Sequence, residues 1–264
     1  MALLQVNFTS QSLMRTVPMN VILPVDKIPA LEKRATYPTL YLLHGAFGNY
    51  TDWISQTAIK RWAEEKELAV VMPSGDNMFY VDQKEGNNFY GEFIGKELVE
   101  LTRKMFPLSQ CREDTFIAGL SMGGFGALRN GLKYHETFGF IAGLSNALFL
   151  DGVEKRTNDS TFFLDRRDYM ESVFGNLETV YESDKNPRWL AKQIVEEKEK
   201  FPEIYIACGL EDGLLESNRS LRDYLHELGA PVTYEEGSGG HEWDFWNCYI
   251  KKVIDWLPLE EKCS

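Results

Sequence analysis

The chain has 264 residues, 44% of them hydrophobic and 13% aromatic, ample for the core of one α/β domain of this size. Its 28 Lys and Arg against 40 Asp and Glu leave a formal charge of -12, which argues against nucleic acid or an anionic membrane as partner. No apolar stretch nears the roughly eighteen residues of a membrane span, and Met1 to Asn7 lacks a basic, then apolar, leader, so a soluble cytoplasmic protein is expected.

Gln5 to Phe8 and Pro18 to Leu23 carry β-branched residues with weak alternation and read as two edge strands ahead of the main sheet. Asp26 to Arg34 reads as a polar loop. Tyr37 to Leu43 is almost uniformly apolar, as in a strand buried on both faces of a parallel sheet, and it ends at His44-Gly45-Ala46-Phe47-Gly48-Asn49. Trp53 to Glu67 has helical spacing. Leu68 to Pro73 is another buried strand, followed by a polar and aromatic loop from Ser74 to Tyr90 in which Asn77, Tyr80 and Asp82 face either ligand or solvent. Glu92 to Phe106 is an amphipathic helix leading to a strand at Thr115 to Ala118.

The stretch Phe116 to Leu128 combines that strand, a sharp turn and a glycine-bearing helix. Gly119-Leu120-Ser121-Met122-Gly123 fits the G-x-S-x-G elbow, which exposes a serine hydroxyl on a strained strand-to-helix turn. The pentapeptide is common by itself. Its force comes from the β-rich run before it and from Gly123, Gly124 and Gly126 after it, each costing a helix about 1 kcal/mol relative to alanine unless the helix must approach a sheet closely.

Phe138 to Leu144 reads as the next strand. From Ser145 to about Lys200 the periodicity breaks into short aromatic and charged patches, which suits either a cap over an active site or peripheral helices around a small core of their own. Ile204 to Gly209 is a late strand breaking at Gly209-Leu210-Glu211-Asp212-Gly213. Leu214 to Leu228 is helical, Val232 to Glu236 is a strand, Gly237 to Glu242 is a turn bearing a histidine, and Trp243 to Leu257 is an aromatic helix. No repeat or linker divides the chain, so residues 1–264 are expected to form one domain with an insert at roughly 145–200.

A serine hydroxyl becomes a useful nucleophile when a histidine takes its proton and a carboxylate fixes that histidine's tautomer. In an α/β-hydrolase the acid follows a late strand and the base sits in the last loop, which selects Asp212, with Glu211 as rival, and His241 to serve Ser121. Of the other histidines, His44 is assigned to bracing the early turn, His135 to the end of the elbow helix and His226 to a polar helix face. The developing oxyanion needs two backbone N–H donors. Met122 offers one, and Ala46 or Phe47 the other, Ala46 being preferred.

His241-Glu242-Trp243-Asp244-Phe245 begins like a zinc-binding H-E-x-x-H helix but has Phe245 in place of the second histidine, and Gly237-Ser238-Gly239-Gly240 lacks the lysine of a phosphate loop. The four cysteines, Cys111, Cys208, Cys248 and Cys263, have no C-x-x-C spacing, so reduced thiols are expected. No metal, nucleotide or other cofactor is expected.

With Leu42-Leu43-His44-Gly45, Gly119 to Leu128, Gly209-Leu210-Glu211-Asp212 and Gly239-Gly240-His241-Glu242-Trp243 in view, the chain resembles the esterase D group of α/β-hydrolases, with bacterial tributyrin esterases nearest. The group also holds S-formylglutathione hydrolases, short-chain carbohydrate esterases and the antigen 85 mycolyltransferases. The resemblance spans nearly the whole chain. It implies an α/β-hydrolase fold with a mostly parallel sheet, a carboxylesterase acting on small-molecule short-chain esters, Ser121, Asp212 and His241 as triad, and the backbones of Ala46 and Met122 as oxyanion hole. An acetyl or feruloyl carbohydrate esterase, an S-formylglutathione hydrolase-like thioesterase and an acyltransferase are alternatives on the same scaffold, and relatives of this kind often form homo-oligomers. S-formylglutathione hydrolases place a cysteine after the oxyanion turn; this chain has Ala46-Phe47-Gly48-Asn49-Tyr50, which argues against a glutathione thioester role.

Overall fold

The computed structural model describes residues 1–26 and 35–259; beyond Asp26, the expected loop at 26–34 lies outside them. The chain begins with an antiparallel hairpin, β1 (Ala2–Ser10) and β2 (Arg15–Leu23). It continues through β3 (Thr39–Leu43), α1 (Asp52–Gln56), α2 (Ile59–Glu65), β4 (Ala69–Pro73) and a two-residue ribbon of β5 (Asp82–Gln83) and β6 (Asn88–Phe89). Next come α3 (Tyr90–Glu92), a π-helical turn (Phe93–Glu97) and α4 (Leu98–Met105), then β7 (Thr115–Leu120), α5 (Met122–Lys133) and β8 (Phe140–Leu144). After α6 (Arg167–Phe174) and α7 (Pro187–Glu197), the chain closes with β9 (Glu203–Gly209), α8 (Leu215–Glu227), β10 (Val232–Gly237) and α9 (Trp243–Trp256).

Eight strands make one sheet in the order β1-β2-β4-β3-β7-β8-β9-β10, parallel from β4 to β10 with the hairpin added antiparallel at one side. Strands β3, β4 and β7 are buried at every position, which is why their sequences are continuous apolar runs. Of the two hairpin strands only β1 is an edge: it alternates half-buried and exposed residues, whereas β2 lies between β1 and β4. The expectation of two edge strands is corrected accordingly. One apolar layer joins the sheet to α4 through α8, with Phe125, Leu128, Val173, Leu190 and Leu221 in it. The other holds Trp53, Trp62, Trp246 and Ile250 from α1, α2 and α9.

Two expected helices are interrupted, both for tertiary reasons. Trp53 to Glu67 divides at Thr57, whose hydroxyl bonds the Trp53 carbonyl, while the amide of Ala58 is taken by Asn247 Oδ1 of α9 at 3.2 Å. The run before Phe106 contains a π turn, an extra residue in the helical repeat. That turn ends on Glu97, whose carboxylate accepts from Ser10 Oγ (2.7 Å) and from the amides of Gln11 (2.6 Å) and Ser12 (3.0 Å), fixing the β1–β2 turn.

The stretch 145–200 is short 3-10 turns plus α6 and α7, and Leu150, Leu164, Met170, Phe174, Leu190 and Ile194 join the main apolar layer and form no separate core. Its anchor is Arg129 of α5, fully buried, which donates to the Asp184 carbonyl (2.9 Å), to the Asp184 carboxylate (3.1 Å) and to Asp82 (3.2 Å). Lys133 reinforces the same two carboxylates. Asp82 is therefore part of an ion network, and Tyr80, expected to face ligand or solvent, is fully buried with its hydroxyl on the His44 carbonyl at 2.9 Å. Cys208 and Cys248 are free, while Cys111 is disulfide-bonded, contrary to the expectation of reduced thiols throughout.

Candidate active site

Five turns at the carboxyl ends of parallel strands converge here: after β3, β7, β8, β9 and β10. Ligands bind at this edge in open α/β sheets, where strand order reverses. Here β3 separates β4 from β7, so the turns after β3 and β7 lie side by side.

Ser121 sits at φ 53° and ψ -117°, a conformation costly for a residue with a Cβ, and is held there by its neighbours. Its amide donates to the Leu144 carbonyl at 2.8 Å, and its own carbonyl accepts from Phe125 (3.0 Å) and Ala147 (3.1 Å). The turn closes because positions 119 and 123 have no side chain: a Cβ on Gly119 would lie 2.3 Å from the Gly123 carbonyl oxygen, and one on Gly123 would lie 2.5 Å from the carbonyl oxygens of Leu43 and His44. Alanine at position 123 would gain about 1 kcal/mol of helix propensity. Against this stands an over-packing cost of about 3 kcal/mol, because the obstacles are backbone. We expect Gly123→Ala to destabilise the fold by about 2 kcal/mol, read in chemical denaturation, and to lower esterase activity at least tenfold; an unchanged midpoint would contradict this.

The structure brings the three separated side chains together. His241 Nε2 lies 3.0 Å from Ser121 Oγ, and His241 Nδ1 lies 2.9 Å from Asp212 Oδ2. Asp212 is buried, and its other oxygen accepts from the Leu214 amide at 2.9 Å. Burial opposes its ionisation, but hydrogen bonds from His241, the Leu214 amide and the Ser145 hydroxyl outweigh that and hold the carboxyl below the usual carboxylate range. Glu211 is turned elsewhere, accepting from the Gly239 amide at 2.6 Å.

Met122 begins α5, so its N–H has no intrahelical acceptor. In the turn after β3, the Phe47 amide is committed to Asn77 Oδ1 at 2.8 Å, whereas that of Ala46 has no acceptor among the described residues. His44 is buried and neutral, burial lowering its pKa; its ring accepts from the Gly75 amide (2.8 Å), tying this turn to the end of β4. His135 follows α5 and His226 lies exposed on α8. Neither lines the cavity.

Ser121 opens on a cavity of about 530 Å³, within the usual range for small-molecule sites. Phe47, Phe79, Phe149, Phe162, Leu164 and Trp243 give it an apolar wall, and Asp52 adds a carboxylate. Phe47 adopts φ 66° and stays 65% exposed at the mouth, its ring 5.7 Å from Phe163 and 6.2 Å from Phe162. Sequence reasoning missed Ser145, Asn146, Asn218 and Trp246. Asn218 Oδ1 accepts from the amide (3.1 Å) and side chain (2.7 Å) of Asn146, pinning the end of β8 to α8. Trp246 packs edge-on against the His241 ring at 4.9 Å. No metal-binding cluster of His, Cys, Asp and Glu occurs among the described residues, and none of their helices is long and apolar enough to cross a membrane.

A mostly parallel eight-stranded sheet with helices on both faces and a serine elbow at its carboxyl edge is the α/β-hydrolase fold. Residues 10–254 match the esterase family described as "Putative esterase", and the chain belongs to that family; it is a carboxylic ester hydrolase. It is 43% identical over 261 residues to an acetyl esterase of Caldicellulosiruptor saccharolyticus, covering 97% of this chain and 98% of that one. Among solved structures it is similar to the Staphylococcus aureus fluorophosphonate-binding serine hydrolase FphF (31% identity, TM-score 0.85) and to the S-formylglutathione hydrolase FrmB of the same organism (31%, 0.83). Each comparison covers 97% of this chain and 98% of the other.

Proposed function

We propose that the protein is a serine carboxylesterase for short-chain acyl esters, acetyl esters included, working through an acyl-enzyme. The observation that carries this reading is the continuous run from Asp212 through His241 to Ser121, with contacts of 2.9 and 3.0 Å, opening on an apolar cavity. His241 takes the Ser121 proton as Oγ attacks the ester carbonyl carbon, and the electron pair moves to the carbonyl oxygen, held by the amides of Met122 and Ala46. Collapse expels the alcohol, which receives its proton from His241. Water then repeats the sequence in reverse and frees the acid. Asp212 holds His241 in the tautomer with hydrogen on Nδ1.

The acetyl esterase relative supports a short acyl group, and the apolar wall with Asp52 beside it supports an uncharged one. Glutathione thioesters carry carboxylates that Asp52 and the net charge of -12 would repel. The same reading takes the chain as one catalytic domain in which 145–200 shapes the cavity wall. A series of p-nitrophenyl esters tests it: kcat/KM is expected to peak at acetate or butyrate and to fall at least tenfold by octanoate, with free acid as product. A maximum at octanoate, or ester formed on added alcohols in preference to acid, would overturn it.

A further inference from the structure

Ser145 follows β8 and is fully buried at φ 50°, an uncommon conformation for serine, with its amide donating to the Ala207 carbonyl of β9 at 2.8 Å. A buried hydroxyl needs partners. Its oxygen accepts from Trp246 Nε1 at 3.1 Å, and the hydroxyl is one of the groups that hold the Asp212 carboxyl below its usual range. The same indole lies edge-on against the imidazole of His241, with ring centres 4.9 Å apart and planes at 90°. One side chain of α9 thus touches the base directly and also bonds the serine that follows β8.

We propose that Ser145 and Trp246 are a positioning pair for the triad, in which the indole orients His241 and the hydroxyl between them supplies a hydrogen bond to Asp212. Neither residue touches the reacting atoms. Their contribution is to keep the carboxylate ionised and aimed at Nδ1 of His241, since a buried carboxylate with one donor fewer favours protonation or rotation. The other titratable group facing Asp212 is Cys208 of β9, whose thiol burial pushes up to about 12, so it remains protonated throughout the working range.

The inference rests on the triad reading above, and the two are tested separately. Ser145→Ala and Ser145→Gly both remove the hydroxyl, and glycine tolerates the positive φ, so agreement between them separates the hydroxyl from backbone strain. Trp246→Phe keeps a smaller ring against His241 and removes the N–H donor, and the Ser145 variants, which leave the indole in place, separate the donor from the lost volume. With p-nitrophenyl acetate, each variant is expected to lose roughly tenfold in kcat with KM within twofold of the parent. The acid limb of the kcat/KM profile is expected to move to higher pH, because a less stabilised carboxylate protonates sooner and stabilises the imidazolium more strongly. Ser145→Ala combined with Trp246→Phe should be little worse than the more damaged single variant, as for two groups acting through one bond. Unchanged kcat and an unmoved acid limb in folded Ser145→Gly and Trp246→Phe proteins would overturn the pairing. So would losses that multiply in the double variant. If Ser121→Ala kept full activity, the triad reading itself would fail; if only that variant were dead, the pairing alone would fall.

Discussion

Ser121→Ala is expected to lower kcat for p-nitrophenyl acetate by about 10⁴- to 10⁶-fold, the range for removal of a triad nucleophile. Among the described residues, no other side chain lining the cavity carries a hydroxyl or thiol, so none of them can take over the attack. The fold should be indifferent to the change. The elbow is held by backbone bonds from Ser121 to Leu144, Phe125 and Ala147 and by the missing side chains at 119 and 123, and none of these involves Oγ. A fluorophosphonate probe should label the parent and leave Ser121→Ala unlabelled, with equal unfolding midpoints for both. Labelling of the alanine protein at the parental rate would exclude Ser121 as nucleophile.

The second large effect is expected at Asp212. Asparagine is nearly isosteric and keeps an oxygen for the Leu214 amide, so packing survives, but its NH₂ would donate to Nδ1 of His241 and stabilise the tautomer with hydrogen on Nε2. That hydrogen faces Ser121 Oγ, and the base can no longer accept. A loss of about 10³- to 10⁴-fold in kcat with KM little changed is expected for Asp212→Asn. Asp212 also links stability to pH: its folded-state pKa is lowered, so its stabilising contribution is complete above the ordinary aspartate value near ~3.9 and is lost as pH falls through the folded value. The parent should therefore lose stability in acid more steeply than Asp212→Asn, measured by thermal unfolding from pH 7 downward. Parallel curves would show that the carboxylate is not so stabilised.

The parts of this site legible in the sequence are those whose chemistry is written in adjacent residues. A strand, a glycine-flanked serine and a helix at 116–128 declare an elbow, and an acid after a late strand with a histidine in the last loop then have few competitors when only four histidines exist. The central strands β3, β4 and β7 were legible because burial on both faces leaves no polar alternation. What stayed hidden depends on partners far away in sequence. The break between α1 and α2 is fixed by Asn247, and the loop around Tyr80 and Asp82 is shaped by the His44 carbonyl and by Arg129. Ser145 and Trp246 carry no motif. A serine after a strand and a tryptophan in an aromatic helix are ordinary residues until the fold sets them beside Asp212 and His241.

Arg129 projects from α5, the helix that follows Ser121, and its guanidinium bonds Asp82 and Asp184, one in the loop after β4 and the other in the 145–200 stretch. Separating these parts would strand a guanidinium away from water, so the vestibule and the turn that carries Ser121 are expected to melt together. Divergence toward bulkier esters on this scaffold would then proceed by exchanging rings at Phe47 or Phe162, which stand exposed at the rim, and leave the anchored backbone behind them as it is.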